Sequence, residues 1–332
     1  MPTNRSLRVG IVGTGFAAKR RVEAFRTDSR AQVVTVVGNT LANTQAFAQA
    51  QEIAMSPSWQ ALAQQDDIDL IVVCHANSHH AEVVRLALTA GKSVVVEYPL
   101  ALSVAEASEL IELAQDQRSL LHVEHIELLG GLHQAMQANL PAIGTPAYVR
   151  YCTTSARHPA PQKWAYNAAL LGFPLMGALS RLHRLTNLFG SVHQVACHLQ
   201  YDGASIEPSA EYFQNCRCTA QLRFCSGVIA EVLYAKGSQT WRSQRLMEVE
   251  GDRGALVFKD DIGTLITAEG SHPIPVETRR GLFAKDTTAV LDALYDGKPF
   301  YVTPQESLYA LQIAAAAKQA AQTGQTVTMQ LP

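Results

Sequence analysis

The stretch Val9-Gly10-Ile11-Val12-Gly13-Thr14-Gly15-Phe16-Ala17-Ala18 decides the fold of the first part of this chain. It places a GxGxxA pattern between an apolar run typical of a strand and a segment typical of a helix. Gly13 permits a tight turn, Gly15 lets a pyrophosphate approach the backbone, and Ala18 allows the helix to pack closely. Because free N–H groups at a helix start favour anions, the stretch predicts a dinucleotide-binding Rossmann domain rather than a merely structural turn.

The residues after the second predicted strand indicate which dinucleotide binds. About 20 residues beyond the glycine pattern, an acidic side chain would bond the ribose 2'-hydroxyl of NAD. This chain has Gly38-Asn39-Thr40 there, with no carboxylate to repel a 2'-phosphate and with basic residues at 19–21 nearby in sequence. We therefore expect NADP(H) rather than equal use of both cofactors. The contact residues expected in this region are Gly13, Thr14, Gly15, Phe16, Ala17, Asn39 and Thr40.

Short apolar runs alternate with helical stretches from residue 7 to about residue 125. Strand, helix, strand repetition favours a parallel, doubly wound sheet. Ser78 is expected to cap one of the helices, and Ser103 to cap the next one with Glu106 at capping-box spacing. The apolar runs are Leu7–Val12, Gln32–Val37, Leu70–Cys74, Ser93–Val96 and Leu120–Val123.

The pattern changes after Glu127 and predicts a second domain with a different sheet. From Cys216 to Phe224 the even positions are apolar and the odd positions polar, which is typical of a sheet covered on one face only. The chain is therefore expected to be α/β, with an NADP-binding Rossmann domain at 1–125 and a substrate-binding α+β domain at 126–332. The second domain should hold a large, mainly antiparallel open sheet. Further strands are expected at 228–234, 244–250, 255–259 and 264–268, and late helices that pack on the core at 282–295 and 305–323.

Composition excludes several classes of function. The 332 residues favour two domains, and 27 Lys plus Arg against 29 Asp plus Glu leave no basic excess for nucleic acid. The apolar runs are shorter than the roughly 18 residues that span a bilayer, so no membrane partner is expected. The six cysteines form no CxxC pair, which indicates reduced thiols, no disulfides and no structural zinc. The polar stretch Met1–Arg8 lacks the apolar core of a signal peptide, so we expect a cytoplasmic protein. The wettable face of the predicted sheet favours a monomer.

Two further motifs resemble the glucose-fructose oxidoreductase and inositol dehydrogenase superfamily. Residues 91–100 read GKSVVVEYPL, similar to that family's GKHVxxEKP segment, and Asn77-Ser78-His79-His80 is similar to its NxxH. The resemblance covers essentially the whole chain and implies a Rossmann domain followed by an α/β domain with a large open sheet. It implies that the ribose and nicotinamide are surrounded by His75, Asn77, His80, Glu97 and Tyr98.

The chain departs from that superfamily where a sugar or inositol dehydrogenase carries its catalytic base. Gly177 and Arg181 occupy the positions of the family's Asp and His, on a segment expected to be helical. Glycine offers no base, and arginine stays protonated. Arg181 and Arg184 at i and i+3 project from nearly the same helix face and suit a substrate with carboxylates. The alternative is that both are ordinary solvated or salt-bridged residues.

The EYP variant and the stretch Leu121–Gly131 resemble the biliverdin reductases, the cyanobacterial type most closely. The arginines near Gly172-Phe173-Pro174-Leu175 and the segment Gly251-Asp252-Arg253-Gly254 add to this resemblance. It implies that NADPH reduces biliverdin to bilirubin at the central methine carbon while a pyrrole nitrogen is protonated.

The resemblance also implies roles for individual side chains. Arg181 supplies electrostatic assistance, and Arg184 shares this task or binds a propionate. Tyr98 lies beside the nicotinamide as a hydrogen-bond donor, a proton source or a packing residue. Glu97 orients the cofactor.

Two other functions stay open at the level of sequence. One is a non-catalytic NADP(H)-binding regulator, and the other is a reductase of another anionic substrate. The arginine pair favours an enzyme, because a regulator needs no cationic surface facing the nicotinamide. The polar residues Glu124, His125 and Glu127 at the domain junction serve either structure or substrate contact. No metal site is expected, because the adjacent His79 and His80 point in different directions on a helix.

Overall fold

The computed structural model describes residues 5–203 and 206–330. Strands in these ranges are β1 Leu7–Val12, β2 Ala31–Val37, β3 Ala54–Met55, β4 Leu70–Val73, β5 Ser93–Glu97, β6 Leu121–Glu124, β7 Pro146–Ala156, β8 Val192–Tyr201, β9 Asn215–Phe224, β10 Ile229–Gly237, β11 Gln244–Gly251, β12 Gly254–Lys259, β13 Ile262–Thr267, β14 Gly270–Ile274 and β15 Val327–Thr328. The helices are α1 Phe16–Phe25, α2 Leu41–Gln51, α3 Trp59–Ala63, α4 His80–Thr89, α5 Val104–Asp116, α6 Gly131–Asn139, α7 Ala168–Leu171, α8 Leu179–Phe189, α9 Leu282–Asp296 and α10 Pro304–Thr323.

The described chain forms two compact units, and neither is built from one continuous segment. The first contains residues up to 126 together with 280–308, and the second contains 127–279 together with 309 onward. The first division after Ile126 lies beside the expected boundary at residue 125. The return of residues 280–308 to the first unit is not foreseen by a division into two consecutive domains.

The first unit contains a parallel sheet in the order β3-β2-β1-β4-β5-β6. Each neighbouring pair is parallel, which confirms the predicted Rossmann-type domain. The central strand β4 is buried along its whole length, as expected for a strand covered on both faces. The strand order reverses between β1 and β4, and ligands of such sheets bind outside the carboxyl ends of the strands at this point.

The helix caps of this unit follow the sequence in one place and depart from it in another. Ser103 caps α5, because its hydroxyl oxygen accepts a hydrogen bond from the Glu106 N–H at 3.4 Å. The expected Ser78 cap is wrong. A short 3-10 turn at Asn77–His79 precedes α4, and the His79 N–H donates to a backbone carbonyl at 3.0 Å. Helix α4 therefore begins after this turn without a side-chain cap from the described residues.

The second unit contains a nine-stranded sheet in the order β14-β13-β12-β11-β7-β10-β9-β8-β15. Its pairs are antiparallel except for the parallel pair β7 and β10, which confirms the mainly antiparallel sheet. Along β9 the even positions from Cys216 to Phe224 are buried and the odd positions are exposed. The alternation read from the sequence is therefore the alternation of the sheet faces.

The segment expected to place Gly177 and Arg181 on one helix is different in the structure. Helix α8 begins only at Leu179, so Gly177 lies in the preceding turn. A Cβ atom at Gly177 would lie 2.4 Å from Leu171 Cδ1. Pro174 within the turn disfavours a continuous helix, because proline lacks the N–H that a helix interior needs.

Candidate active site

The glycine turn between β1 and α1 forms an open cradle at the end of the first strand. Gly13 has φ +126°, and a Cβ atom there would lie 2.3 Å from the carbonyl oxygen of Cys74. A Cβ atom at Gly15 would meet no atom of the described residues within 4 Å. Helix α1 begins at Phe16 without a side-chain cap from the described part of the chain. Its first N–H groups are therefore available to an anion, which fits the pyrophosphate of a dinucleotide.

The residues after β2 lie next to this turn. A Cβ atom at Gly38 would lie 2.7 Å from Thr14 Cγ2, so the two loops are in close contact. The Thr40 hydroxyl caps α2 by accepting a hydrogen bond from the Asn43 N–H at 3.2 Å. Asn39 and Thr40 are exposed. Both are accessible at the edge where the sequence predicts the 2'-phosphate.

The three basic residues near the glycine pattern have different surroundings. Lys19 and Arg20 lie on the exposed surface of α1. Arg21 is buried and forms ion pairs with Glu97 and Asp286. Arg21 is therefore not available to a 2'-phosphate, because the helical period turns it toward the core.

A buried ionic network lies behind the carboxyl ends of the strands. Asp286 accepts hydrogen bonds from Arg21, from His122 Nε2 at 2.8 Å and from the Tyr301 hydroxyl at 2.6 Å. Burial alone would raise the pKa of Asp286, but the cationic Arg21 and the hydrogen bonds hold it well below its usual range. Arg21 also donates from Nε to Glu97 Oε1 at 3.1 Å. The network thus fixes the carboxylate at the end of β5.

His80 connects the loops that follow β4 and β5. Its Nδ1 lies 2.8 Å from the carbonyl oxygen of Pro99, and its Nε2 lies 3.0 Å from that of His75. Burial lowers the pKa of His80 although both carbonyl groups act in the opposite direction. This side chain therefore holds the segment around Tyr98 against the segment around Asn77.

Three aromatic rings cluster beside His80. The rings of Trp59 and His75 lie 5.2 Å apart, those of Trp59 and His79 lie 5.3 Å apart, and the two histidine rings lie 5.0 Å apart. Burial and the neighbouring histidines lower the pKa of His75 to about 4. His75 is therefore neutral at neutral pH and suits packing or hydrogen bonding to a cofactor.

Tyr98 is held by a polar support. Its ring stacks on the His125 ring with centroids 5.4 Å apart. His125 in turn lies with Nε2 2.9 Å from the Ser307 hydroxyl, and its backbone N–H donates to the Tyr301 hydroxyl at 3.2 Å. This arrangement fixes the orientation of the Tyr98 ring.

In the second unit, Arg181 lies on the covered face of the sheet. Its Nε donates to the Thr153 hydroxyl at 3.2 Å, and its guanidinium lies 5.5 Å from the centre of the Tyr234 ring. The side chain is half-buried. A guanidinium against an aromatic ring keeps its charge and its planar orientation.

Arg184 is on the same helix but in a closed environment. It is buried and donates to the Tyr151 hydroxyl at 2.5 Å and to Glu127 Oε2 at 3.0 Å. Glu127 also pairs with Arg279. A buried guanidinium with these acceptors is a salt-bridged residue, as one of the two sequence alternatives proposed.

The sequence reasoning missed a buried cation, Lys236. Its Nζ donates to the carbonyl oxygen of Ala165 at 2.5 Å and lies 4.9 Å from the centre of the Tyr166 ring. The Tyr234 ring lies near both Lys236 and Arg181. The strand β10 contained a signal for this residue. Lys236 lies on the same face of the strand as Ala230 and Val232, which are buried, so the alternation places a lysine at a core position.

The expected polar cluster at the domain junction divides between the two units. Glu124 and His125 belong to the first unit and make their described contacts there. Glu127 belongs to the second unit and contacts Arg184 and Arg279. Within residues 5–203 and 206–330, no group of three or more His, Cys, Asp or Glu side chains is placed to hold a metal ion. In the same ranges, no helix combines the length and apolar character needed to cross a membrane.

Two family models match the chain. A model described as an oxidoreductase family with an NAD-binding Rossmann fold matches residues 7–125. A second, described as the C-terminal alpha/beta domain of an oxidoreductase family, matches residues 141–329. Together they cover both units described above.

Individual relatives are similar over different lengths. The crystal structure of biliverdin reductase in complex with biliverdin and NADP+ from Synechocystis sp. PCC 6803 has a TM-score of 0.92 and 48% identity, covering 95% of this chain and 99% of that one. Biliverdin reductase A of Mus musculus is 29% identical over 59% of this chain and 62% of its own length. The chain thus aligns with less than two thirds of that mammalian relative. The 1,5-anhydro-D-fructose reductase of Ensifer adhaerens is 24% identical over 97% of this chain and 98% of its own.

Proposed function

The chain belongs to the oxidoreductase family that includes glucose-fructose oxidoreductase and inositol dehydrogenase, and on this premise we propose that it reduces biliverdin to bilirubin with NADPH. The observation that carries the proposal is the 48% identity, over nearly the whole chain, to a reductase crystallised with biliverdin and NADP+. The arginines and the absence of a base at position 177 support it, because methine reduction needs no base to deprotonate a hydroxyl.

The residues of the first unit fit NADP(H). The open cradle at Gly15 and the uncapped start of α1 suit the pyrophosphate, and the exposed Asn39 and Thr40 suit the 2'-phosphate. When bound, the cofactor supplies a hydride. The residues proposed to contact it are Gly13, Thr14, Gly15, Phe16, Ala17, Asn39, Thr40, His75, Asn77, His80, Glu97 and Tyr98.

In the proposed reaction the central methine carbon accepts the hydride and its π-electron pair moves to a pyrrole nitrogen, which takes a proton from water. A fixed cation near this nitrogen stabilises the developing negative charge. We assign this role to Arg181, whose guanidinium is oriented by Thr153 and Tyr234. Direct proton donation by arginine is disfavoured because its pKa is above about 12. Tyr98 is the second proposed source of this proton, besides water.

Arg184 and Lys236 have supporting parts in this proposal. The donors of Arg184 are engaged by Tyr151 and Glu127, which favours positioning of α8 over direct contact with a propionate. Lys236 adds positive charge beside Tyr234 on the covered sheet face. Positive charge behind this face favours a dianionic tetrapyrrole.

We also propose a cytoplasmic monomer. Five of the six cysteines are buried free thiols, a state that a reducing compartment maintains. The exposed polar positions of β9, such as Arg217 and Arg223, form a wettable sheet face. Analytical ultracentrifugation tests the oligomeric state.

The function is tested by the absorbance spectrum of the purified protein mixed with biliverdin and NADPH. Conversion of the green substrate to yellow bilirubin, faster with NADPH than with NADH, is the expected result. NADPH binding without any spectral change would instead favour the non-catalytic regulator. Oxidation of NADPH with a different anionic conjugated compound, but not with biliverdin, would favour the other reductase.

A further inference from the structure

Two carboxyl groups lie side by side at the carboxyl ends of neighbouring parallel strands in the first unit. Glu97 at the end of β5 is the register partner of Glu124 at the end of β6. Register partners on neighbouring parallel strands project from the same face of the sheet, so the two carboxyl groups are neighbours. The Glu124 side chain is buried, with the residue only 1% exposed, and its Oε1 accepts a hydrogen bond from the Ile126 N–H at 2.5 Å.

Two neighbouring carboxyl groups repel each other when both are ionised, whereas a proton on one of them lets it donate a hydrogen bond to the other. Glu97 receives two contacts from the Arg21 guanidinium, Nε at 3.1 Å and Nη2 at 3.0 Å. Glu97 is thus the member of the pair that has a cationic partner. Glu124 has no such cationic donor among the hydrogen bonds described here, which makes it the protonated member.

The charges around the pair lead to the same assignment. The buried guanidinium of Arg21 is already shared between two carboxylates, those of Glu97 and Asp286. A third buried carboxylate would add negative charge without a further cation, which is unfavourable in a low-dielectric interior. Burial raises the pKa of Glu124 well above its usual range, and the Glu97 carboxylate raises it further against the effect of Arg21. The ionisable groups that act on Glu124 are Glu97 of β5, Arg21 of α1, Asp286 of α9, Cys74 after β4 and Tyr301 before α10.

We propose that Glu124 is a positioning residue that stays protonated at neutral pH, donates a hydrogen bond to Glu97, and so holds the Glu97 carboxylate toward the nicotinamide ribose. The part of this inference that concerns the cofactor rests on the proposed function. Ionisation of Glu124 replaces the hydrogen bond by repulsion between like charges and displaces Glu97. Affinity for NADPH therefore falls as the pH rises through the pKa of Glu124.

The protonation state is tested on the cofactor-free protein by infrared spectroscopy. The wild type should show the C=O stretch of a protonated carboxyl at neutral pH, and Glu124→Gln should lose it. Glu112→Gln, which changes an exposed carboxylate on α5, should keep it. A wild type without this band, or a Glu124→Gln protein that retains it, overturns the proposal.

The positioning role is tested by NADPH titration, followed by fluorescence, as a function of pH. The wild type should bind more weakly as the pH rises, whereas Glu124→Gln, which is neutral and still donates a hydrogen bond, should show no such dependence. Glu124→Ala should bind about tenfold more weakly than Glu124→Gln, as expected for a lost hydrogen bond to a charged group. Equal affinity of the glutamine and alanine variants overturns the positioning role.

Two further measurements keep the test decisive. If Glu124→Gln does not fold, Glu97→Gln takes its place: removal of the neighbouring carboxylate lowers the pKa of Glu124, so the infrared band should disappear at a lower pH. An unchanged pH for the loss of the band overturns the shared-proton pair. A protein that shows the expected band but binds no NADPH disproves the proposed function and the positioning role, while the carboxyl pair itself stands.

Discussion

Arg181 and Arg184 lie three residues apart on one helix, yet their surroundings differ. Arg181 is half-buried against Thr153 and the Tyr234 ring. Arg184 is buried and paired with Glu127. Both residues are arginines on the same helix, so the difference in their burial comes from the partners that the tertiary structure supplies: Thr153 and Tyr234 for Arg181, and Glu127 for Arg184.

Replacement of Arg181 by alanine tests the electrostatic role. Turnover with biliverdin should fall about 10²- to 10³-fold, as is typical when one preorganised donor to a developing charge is removed. NADPH affinity should stay unchanged, because the cofactor contacts are assigned to the first unit. Steady-state kinetics and NADPH titration measure the two effects. Arg217→Ala, at an exposed position of β9, serves as the control, and normal turnover of Arg181→Ala would remove this residue from the mechanism.

Asp286 tests the buried ionic network. Asp286→Asn keeps the shape but leaves Arg21 with less compensating charge, so the free energy of unfolding at pH 7 should fall by about 3–5 kcal/mol. The folded pKa of Asp286 is lowered, so its stabilisation is present above the unfolded value of about 3.9 and is lost as the pH falls through the folded value. Because that folded value lies well below the usual range, urea unfolding between pH 7 and pH 3 should show a constant difference between the two proteins down to about pH 4 and only a partial narrowing below it.

The matched control for this change is an exposed ion pair. Glu109→Gln removes the partner of Arg85, where both side chains are solvent-accessible. The expected loss is below about 1 kcal/mol, because water screens such pairs. Equal losses of unfolding free energy in Asp286→Asn and Glu109→Gln would contradict the larger contribution assigned to the buried network.

At the level of elements, the turn between β1 and α1 contains one glycine that the fold requires and one that cofactor binding requires. Residue 13 must be a glycine because its φ is positive and because a side chain there would collide with the backbone of Cys74. Both constraints come from the protein itself. Gly15 faces open space. The glycines of one motif therefore serve different purposes.

Alanine variants distinguish these purposes. Gly13→Ala should destabilise the cofactor-free protein by about 1–3 kcal/mol or more through backbone strain and contact. The free energy of unfolding of Gly15→Ala should lie within about 1 kcal/mol of the wild-type value. Its added methyl group should nevertheless weaken NADPH binding. Thermal unfolding and NADPH titration provide the readouts. Wild-type NADPH affinity of Gly15→Ala would show that no phosphate approaches the backbone there.

At the level of the whole molecule, the first unit depends on a segment that lies far along the chain. Val290 and Leu291 of α9 are fully buried in the core that includes Val9, Ile11 and Val72. Asp286 from the same helix pairs with Arg21. Residues 1–126 alone therefore contain an incomplete core, and Arg21 keeps Glu97 but loses Asp286 as a partner.

A fragment of residues 1–126 should not unfold cooperatively, since it exposes the apolar surface that α9 covers. The same fragment joined through a Gly-Ser linker to residues 280–308 should show near-UV circular dichroism and a cooperative thermal transition. Equal melting temperatures for the two proteins would show that α9 is dispensable for this unit.

The sequence alone determined the features that depend on local pattern. The glycine spacing after an apolar run predicted the Rossmann-type unit, and the alternation from Cys216 to Phe224 predicted a sheet with one covered face. Both succeed because turn geometry and side-chain period are properties of neighbouring residues. The family was also readable from the segment that ends in Glu97-Tyr98-Pro99.

The tertiary structure decided what depends on residues far apart in sequence. It brought Asp286 to Arg21, placed Glu124 beside Glu97, and buried Lys236 among aromatic rings. It also returned residues 280–308 to the first unit. The physical reason is that burial and charge pairing are set by long-range packing, so the same glutamate or arginine is a surface charge in one environment and a buried partner in another.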